Sequence, residues 1–543
     1  MTDAAAHPGR RPAMAAPRPA PRSAGGPAAG MAGTLAGGRD AAARLSWFVP
    51  LFLLCVLLPV KFHAGPLLLS NLRVLLLVLV VPLGIGLLTG RYGRVRVVDV
   101  AVLAHLAWMA LALAVRSPES AVSQVGSAGV EFVGGYLVGR AFVRTPEQFT
   151  RLIAILAASL VAMLPFVLYE LKTGTSPPLL VLNALPGVMS EKMIWMPPRL
   201  NLHRVQMGFP HPIHFGLFAI SCFALVFVGL GDRMRAGRRL ALTGVVVVST
   251  FASLSSGALL PMVVQIGLIA WAFGMRAVPH KWLILFGIFA FCYVVIDILS
   301  NRTPLEVFMS YATFSSHNAH FRSVIFDWGI RNVFGSAVHD IPAAPLFGLG
   351  MAKWIRPDWM TASSVDNYWL LMAMRYGVMG FLTIAAGYAW ALWRIGTRDL
   401  GDDERLNRLR FAWTVTFFAL ALTLSTVHVW SATFSYVFFL FGAGMWLLDA
   451  EPGTGSRAAA NPAAEAAADG AEEGPAGRAG AARRAPGYSR FAAREAPPSR
   501  NELAPREGAA AEAPLSRGAP PQDGPGASPF RRSPAQNPSR LRR

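Results

Sequence analysis

A few charged and hydrogen-bonding side chains stand out because the chain around them is apolar. Arg204 opens the stretch RVQMGFPHPIHFG, with His211 and His214 close behind it. Arg322, Asp327 and Arg331 punctuate FRSVIFDWGIR, and Lys353, Arg356, Asp366 and Asn367 fall in one polar segment between two apolar runs. A guanidinium is a planar fork of donors that suits phosphate oxygens through charge-assisted bonds. Placed where a leaving group gains negative charge, it stabilises that charge. A carboxylate partly withdrawn from water has a raised pKa and can accept a proton from a hydroxyl. Arg204 and Arg322 are therefore candidates for holding an anion, Asp366 is a candidate base, and Arg331, Lys353 and Arg356 are further binding candidates. Each has a plainer reading. The arginines could snorkel, Arg331 could pair with Asp327 at i,i+4, and Asp366 could cap a helix starting at Asn367.

His211 and His214 have an i,i+3 spacing that a metal could use. No third ligand is evident and Pro212 disturbs a regular helix, so a hydrogen-bonding or sugar-facing role and plain packing both stand ahead of metal binding. His317, His320 and His339 are undecided between the same roles. Glu131 lies inside the apolar run GVEFVGGYLVG, and Arg73 lies one or two turns into another. Charge inside a span is costly and tends to be functional, so Glu131 either pairs with Arg73 or meets a substrate hydroxyl. Glu170 and Asp297 stand at helix ends and are expected to be solvated. Trp195, Trp354, Trp359, Tyr368 and Trp369 fit an interfacial aromatic belt. The three cysteines, Cys55, Cys222 and Cys292, fall inside apolar runs without metal spacing and read as buried, inert thiols.

The elements that must position these groups follow from composition. The chain has 543 residues, 54% hydrophobic and 15% charged, too apolar for an ordinary soluble domain. The apolar residues gather in runs long enough to cross a hydrocarbon core of about 30 Å, where backbone must be helical. An all-α polytopic membrane protein is expected, with twelve spans at 46–62, 67–89, 98–115, 121–140, 151–170, 213–231, 240–256, 258–275, 282–299, 367–392, 410–427 and 432–448. Two Ala/Pro/Gly/Arg-rich tails, 1–45 and 451–543, cannot bury a core and are expected to be disordered, leaving 46–450 as the membrane domain. A retained first span, and not a cleaved signal peptide, is expected. If the N-terminus is cytoplasmic, the inside loops hold Arg91, Arg94, Arg96, Arg140, Arg144, Arg233, Arg235, Arg238, Arg239, Arg276, Lys281, Arg394, Arg398, Arg405 and Arg408, whereas the short outer loops hold little beyond Arg116. That satisfies the positive-inside rule with both tails cytoplasmic. Segments 171–212 and 300–366 are then large outer loops. The net charge of +20 is explained by inside loops and tails beside anionic lipid, and no nucleic-acid motif accompanies it. P-loop, HExxH, CxxC and nucleophile-elbow motifs are absent from the sequence.

Four pieces occur in a telling order: RVQMGFPHPIHFG (204–216), STFASLSSGALL (249–260), FRSVIFDWGIRNVFGSAVHDIPAAPLFGLGMAKW (321–354) and VDNYWLLMAMRYGVMG (365–380). Together they resemble the O-antigen ligase and O-antigen polymerase superfamily, including polymerases of bacterial exopolysaccharide. The family pattern is an Arg-containing amphipathic segment, a P-x-x-G-x-G turn, a polar loop, then (H/D)-N-x-x-L and G-x-x-G in the next span. The resemblance covers roughly residues 200–380 and the span count. Asp366 stands where ligases carry His, Arg375 where an acidic residue is frequent, and SSG (255–257) where SRG is common. The missing His favours a polymerase over a ligase.

The resemblance implies a multi-pass protein of the bacterial inner membrane. It implies transfer of a glycan from a polyprenyl-diphosphate carrier to an acceptor-glycan hydroxyl at the periplasmic face, without a metal or other cofactor. Asp366, Arg322 and Arg204 would be catalytic, and Asn367, His211, His214, Glu131, Arg331, Lys353 and Arg356 would bind substrate. The partners would be the lipid-linked glycan, the acceptor glycan, the bilayer and a chain-length regulator. Ligation to a lipid acceptor is the first alternative. A transporter of envelope precursors is the second, although no repeat symmetry between halves supports it. A scaffold of envelope synthesis is the third.

Overall fold

A computed structural model describes residues 44–452 apart from 66, 302–303, 305–306, 308–315 and 361–362. Residues 1–43 and 453–543 of the two tails expected to be disordered and part of the loop 300–366 lie outside the described residues, as does the side chain of His317. The described chain is mostly helical, and every one of the twelve expected apolar runs contains helix. Among the described residues, seven segments are long and apolar enough to cross a membrane: Asn71–Leu88, Val97–Arg116, Pro146–Thr173, Ser256–Gly274, Lys281–Leu299, Tyr368–Gly396 and Ser431–Leu448. Phe48–Leu57 and Pro212–Phe227 are shorter apolar helices. This is a multi-pass helical membrane protein.

Several expectations need correction. The first run, 46–62, stays helical only over Phe48–Leu57. Pro59 removes a backbone donor just beyond it, and Gly65, at φ 62°, closes an antiparallel hairpin of Lys61–Ala64 with Leu67–Ser70. The run 121–140 is helix interrupted by a π-turn over Val125–Gly129, a feature frequent beside functional sites. The serine-rich SLSSG is a break between Ala236–Ala252 and Ser256–Gly274. Lys281–Leu299 buries none of its residues, so Cys292 is exposed, unlike Cys55 and Cys222.

Lipid tails are as apolar as leucine, so helices here associate by close fit more than by a hydrophobic drive. The pair Val130–Phe142 and Ser431–Gly442 achieves this through Gly135 and Gly139. A Cβ on Gly135 would come within 2.3 Å of the Ser435 carbonyl oxygen, and one on Gly139 within 2.0 Å of the Phe439 oxygen. Charge buried beside this pair is paired. Arg140 and Asp99 are both buried; Arg140 Nε meets Asp99 Oδ1 at 3.3 Å, and Tyr136 donates its hydroxyl to the same oxygen. The guanidinium also donates to the Tyr92 and Arg94 carbonyls, at 2.8 and 3.1 Å.

The ends of the bundle differ in charge. Helix Val97–Arg116 begins beside Arg94, Arg96 and Arg140, and after it Ser117 Oγ accepts from Met351 N at 2.9 Å, just beyond the FGLG segment. Helix Tyr368–Gly396 runs from the VDNY segment to Arg394. The clustered basic loops and the polar segment 344–367 thus lie at opposite ends of the same helices.

Candidate functional site

The site begins with two broken helices, whose exposed backbone groups must find partners inside a membrane protein. The first break lies at 253–255. The Ala252 carbonyl accepts from Val205 N at 3.0 Å, and the Leu254 carbonyl from Arg199 Nη1 at 2.7 Å. Arg204 Nε reaches toward the Ser253 carbonyl at 3.5 Å, and its Nη1 contacts Met196 Sδ. The carbonyls freed by the helix break therefore orient two guanidinium groups. The loop carrying them is pinned elsewhere too. Glu170, expected to be solvated, is buried and accepts from the Gln206 and Met207 amides at 2.8 and 3.1 Å. Leu200, Asn201 and Met207 all have positive φ, a strained conformation for such residues and one that concentrates at functional sites.

The second break is at Gly377, with φ 76° and ψ 177° inside Tyr368–Gly396. That region is open in practice only to glycine. The FGLG segment docks on it. Leu349 N donates to the Met374 carbonyl at 2.7 Å, Gly350 N to the Arg375 carbonyl at 3.0 Å, and Val378 N to the Pro345 carbonyl at 2.7 Å. The P-x-x-G-x-G turn and the Gly-spaced helix of the sequence are thus two halves of one joint. It presents Arg375 and the start of the helix to a cavity of about 510 Å³ lined by His211, Lys353, Arg356, Asp366, Arg375, His428 and Trp430.

Asp366 faces this cavity, and it is not a cap. The helix starts at Tyr368, and Asn367 is its N-cap, with Oδ1 accepting from Leu370 N at 3.0 Å. Asn367, expected at the substrate, therefore has its side-chain oxygen committed to the helix, and Asp366 is left available. Burial raises the Asp366 pKa, while the positive charge of Arg322 and a hydrogen bond from Ser364 partly offset that rise. Arg322 comes from Ser316–Phe334, an amphipathic helix whose Ile325 is buried and whose Phe321, Val324 and Trp328 pack on the core. Burial lowers the Arg322 pKa, and Arg199 lowers it further, against the opposing charge of Asp366.

His211 lines the same cavity. Its Nδ1 accepts from Ile213 N at 3.1 Å, which leaves the proton of the neutral ring on Nε2. Burial, then the charges of Arg204 and Arg199, push its pKa down to about 4, so near neutral pH it is an uncharged donor. Arg204 is brought down to about 10 by burial and by Arg199 and stays charged. His428, lowered to about 4 by burial and by Arg375, is likewise neutral.

Arg204, Arg322, Asp366 and His211 are therefore in electrostatic contact through one cluster, and Lys353 and Arg356 line the cavity that Asp366 and His211 face. The other expected residues go elsewhere. His214 is buried, its ring 4.0 Å from that of Trp430, with Nε2 3.3 Å from the His428 carbonyl. It supports the wall. Arg331 pairs with Asp327 at 3.0 Å on the exposed side of its helix. Glu131 pairs with Arg73 at 2.8 Å, lining a smaller cavity of about 180 Å³ that shares Arg375, His428 and Trp430 with the first. Sequence reasoning missed Arg199, Arg375, His428 and Trp430 as site residues. Arg199 could have been found from its place five residues before Arg204 in a Pro-flanked loop. His428 and Trp430 come from a short connection that only the fold brings near. The sequence matches no protein-family model, and no curated protein matches it.

Proposed function

We propose that this protein is a polysaccharide polymerase of the O-antigen ligase and polymerase superfamily, moving a glycan from a polyprenyl-diphosphate carrier to the hydroxyl of an acceptor glycan. One observation carries the reading. Asp366 and His211 line one cavity together with Arg375, Lys353 and Arg356, Asp366 within electrostatic reach of Arg322 and His211 within reach of Arg204 and Arg199. A base and an anion-holding group thus stand beside a space large enough for sugar.

In this reading the arginines hold the carrier's diphosphate. Asp366 takes the proton of the acceptor hydroxyl as that oxygen bonds to the anomeric carbon. The bond from that carbon to the diphosphate oxygen breaks, and the carrier leaves with the electron pair. Arg322, Arg204 and Arg199 stabilise the charge that builds on it. His211 Nε2–H and Trp430 fit donor and stacking contacts to sugar. Lys353 and Arg356 contact the substrate from the same cavity, Asn367 and His214 support its walls, Glu131 lines the adjoining smaller cavity, and Arg331 stays in its surface pair.

The basic end of the bundle is assigned to the cytoplasm by the positive-inside rule, which puts the cavity on the periplasmic side of the inner membrane. The twelve-span reading puts both termini in the cytoplasm. A chain-length regulator is the proposed protein partner.

Deleting the gene and sizing the envelope glycans tests this. Single repeat units in place of long chains are expected. Chains of normal length stranded on the lipid carrier would instead indicate a ligase, which Asp366 in place of the ligases' His disfavours. Unchanged glycans would refute both.

A further inference from the structure

A second large cavity lies away from the site above, at the opposite, basic end of the bundle. It measures about 910 Å³ and is lined by six arginines, Arg94, Arg96, Arg140, Arg144, Arg394 and Arg398, against the three carboxylates of Asp399, Asp449 and Glu451. The arginines fall into two sets. Arg96, Arg140 and Arg398 are built into the wall. Arg140 is tied to Asp99 and to two carbonyls, Arg96 pairs with Asp449, and Arg398 donates to the carbonyls of Leu448 and Ala450. Arg94, Arg144 and Arg394 are exposed at the rim, and among the described residues no carboxylate pairs with them.

The wall carboxylates do not cancel the local charge. Burial lowers the Arg96 pKa first, and the charges of Arg94, Arg140 and Arg398 lower it further, opposed by Asp99. A concave surface that holds like charges this close attracts a multiply charged anion, because field lines focus in a cleft with low-dielectric walls. Guanidinium forks match phosphate oxygens two at a time. Positive-inside bias explains why arginines lie at this end. It does not explain why six of them converge on one cavity, with half held in fixed positions.

We infer that this cavity binds a phosphate-bearing anion, with Arg94, Arg144 and Arg394 as the ligating groups and the fixed arginines as the positive floor. The phosphate could come from the headgroup of an anionic phospholipid in the adjoining leaflet or from a soluble diphosphate. The inference does not depend on the glycan-transfer reading.

The test uses the full-length protein and the triple variant Arg94→Gln, Arg144→Gln, Arg394→Gln. These side chains are exposed and make no buried contacts, so the variant keeps its fold, checked by its thermal unfolding without ligand. In one arm, inorganic pyrophosphate is titrated against protein in neutral detergent and binding is read as a rise in unfolding temperature. In the other, protein from nanodiscs containing phosphatidylglycerol is examined by native mass spectrometry for retained lipid. Saturable pyrophosphate binding, weakened about tenfold or more in the variant, identifies a soluble ligand. Retained phosphatidylglycerol that the variant loses identifies a lipid headgroup. Either result supports the inference. Identical behaviour of the two proteins in both arms overturns it.

Discussion

At the residue scale, the account rests on Asp366 acting as a base next to a guanidinium. A base must be deprotonated, so activity rises as pH rises through its pKa. Burial raises that pKa above the ordinary carboxylate value of about 3.9, and the Arg322 charge holds part of the rise back. The acid limb of kcat/KM is therefore expected above the usual carboxylate range. Arg322→Gln removes the restraining charge and is expected to shift that limb further upward. It is also expected to lower kcat/KM by about a hundredfold, in line with the loss of one donor to a developing anion. A pH–rate profile of the variant checks both, and an unmoved limb would separate Arg322 from Asp366. Arg331→Ala, which breaks only a surface pair worth about 0.3–0.5 kcal/mol, is expected to leave transfer rates unchanged in the same assay. Arg204, Arg322 and Asp366 were legible in the sequence because a charge in apolar surroundings is costly enough to need a reason. Asp366 and Asn367 were legible as a pair but not by role. Which of two adjacent polar residues caps a helix depends on where the first turn starts, and sequence leaves that uncertain by a residue or two.

At the element scale, two helix breaks do the positioning, and each is matched by a loop that uses the freed backbone groups. Gly377→Ala is the sharpest test. The new Cβ would sit 1.9 Å from the Leu346 carbonyl oxygen, at a φ of 76°. The cost is expected to be about 1–3 kcal/mol from backbone strain, with the clash adding to it. The expected outcome is a lower unfolding temperature in detergent together with lost activity, because Arg375 and the FGLG segment share that joint. The Gly-rich segments were visible in the sequence as turn and bend signals. Their mutual docking was not, because long-range pairing of backbone groups leaves no local pattern. The hairpin at 61–70 was hidden for another reason. It lies between and partly within two apolar runs, and composition cannot separate a short apolar strand from helix. Glu170 was misread because a carboxylate at a helix end is ordinarily solvated, and only the fold brings the Gln206 and Met207 amides to it.

At the scale of the whole molecule, the two ends of the bundle carry different chemistry. One end gathers basic loops around a large arginine-lined cavity. The other holds broken helices, a carboxylate, neutral imidazoles and aromatic rings around a second cavity. The orientation follows from charge and is open to direct measurement. Cysteine placed at Lys353 is expected to react with a membrane-impermeant maleimide added to intact spheroplasts, and cysteine at Arg394 only after permeabilisation. The reverse labelling would put the proposed site in the cytosol and remove its substrate. The general architecture was readable because the apolar runs and the arginine asymmetry are global features of the sequence. The arginine-lined cavity was not, since its walls come from helix ends and loops far apart in the sequence.

The most direct measurement is turnover by purified full-length protein in nanodiscs, supplied with a polyprenyl-diphosphate-linked repeat unit and no other component. The account predicts lipid-linked chains that lengthen with time, with one polyprenyl diphosphate released for each bond formed. It also predicts loss of both products in Arg322→Ala and Asp366→Ala proteins that unfold at the wild-type temperature. Full turnover in both variants, or release of carrier without chain growth in the wild type, would contradict it.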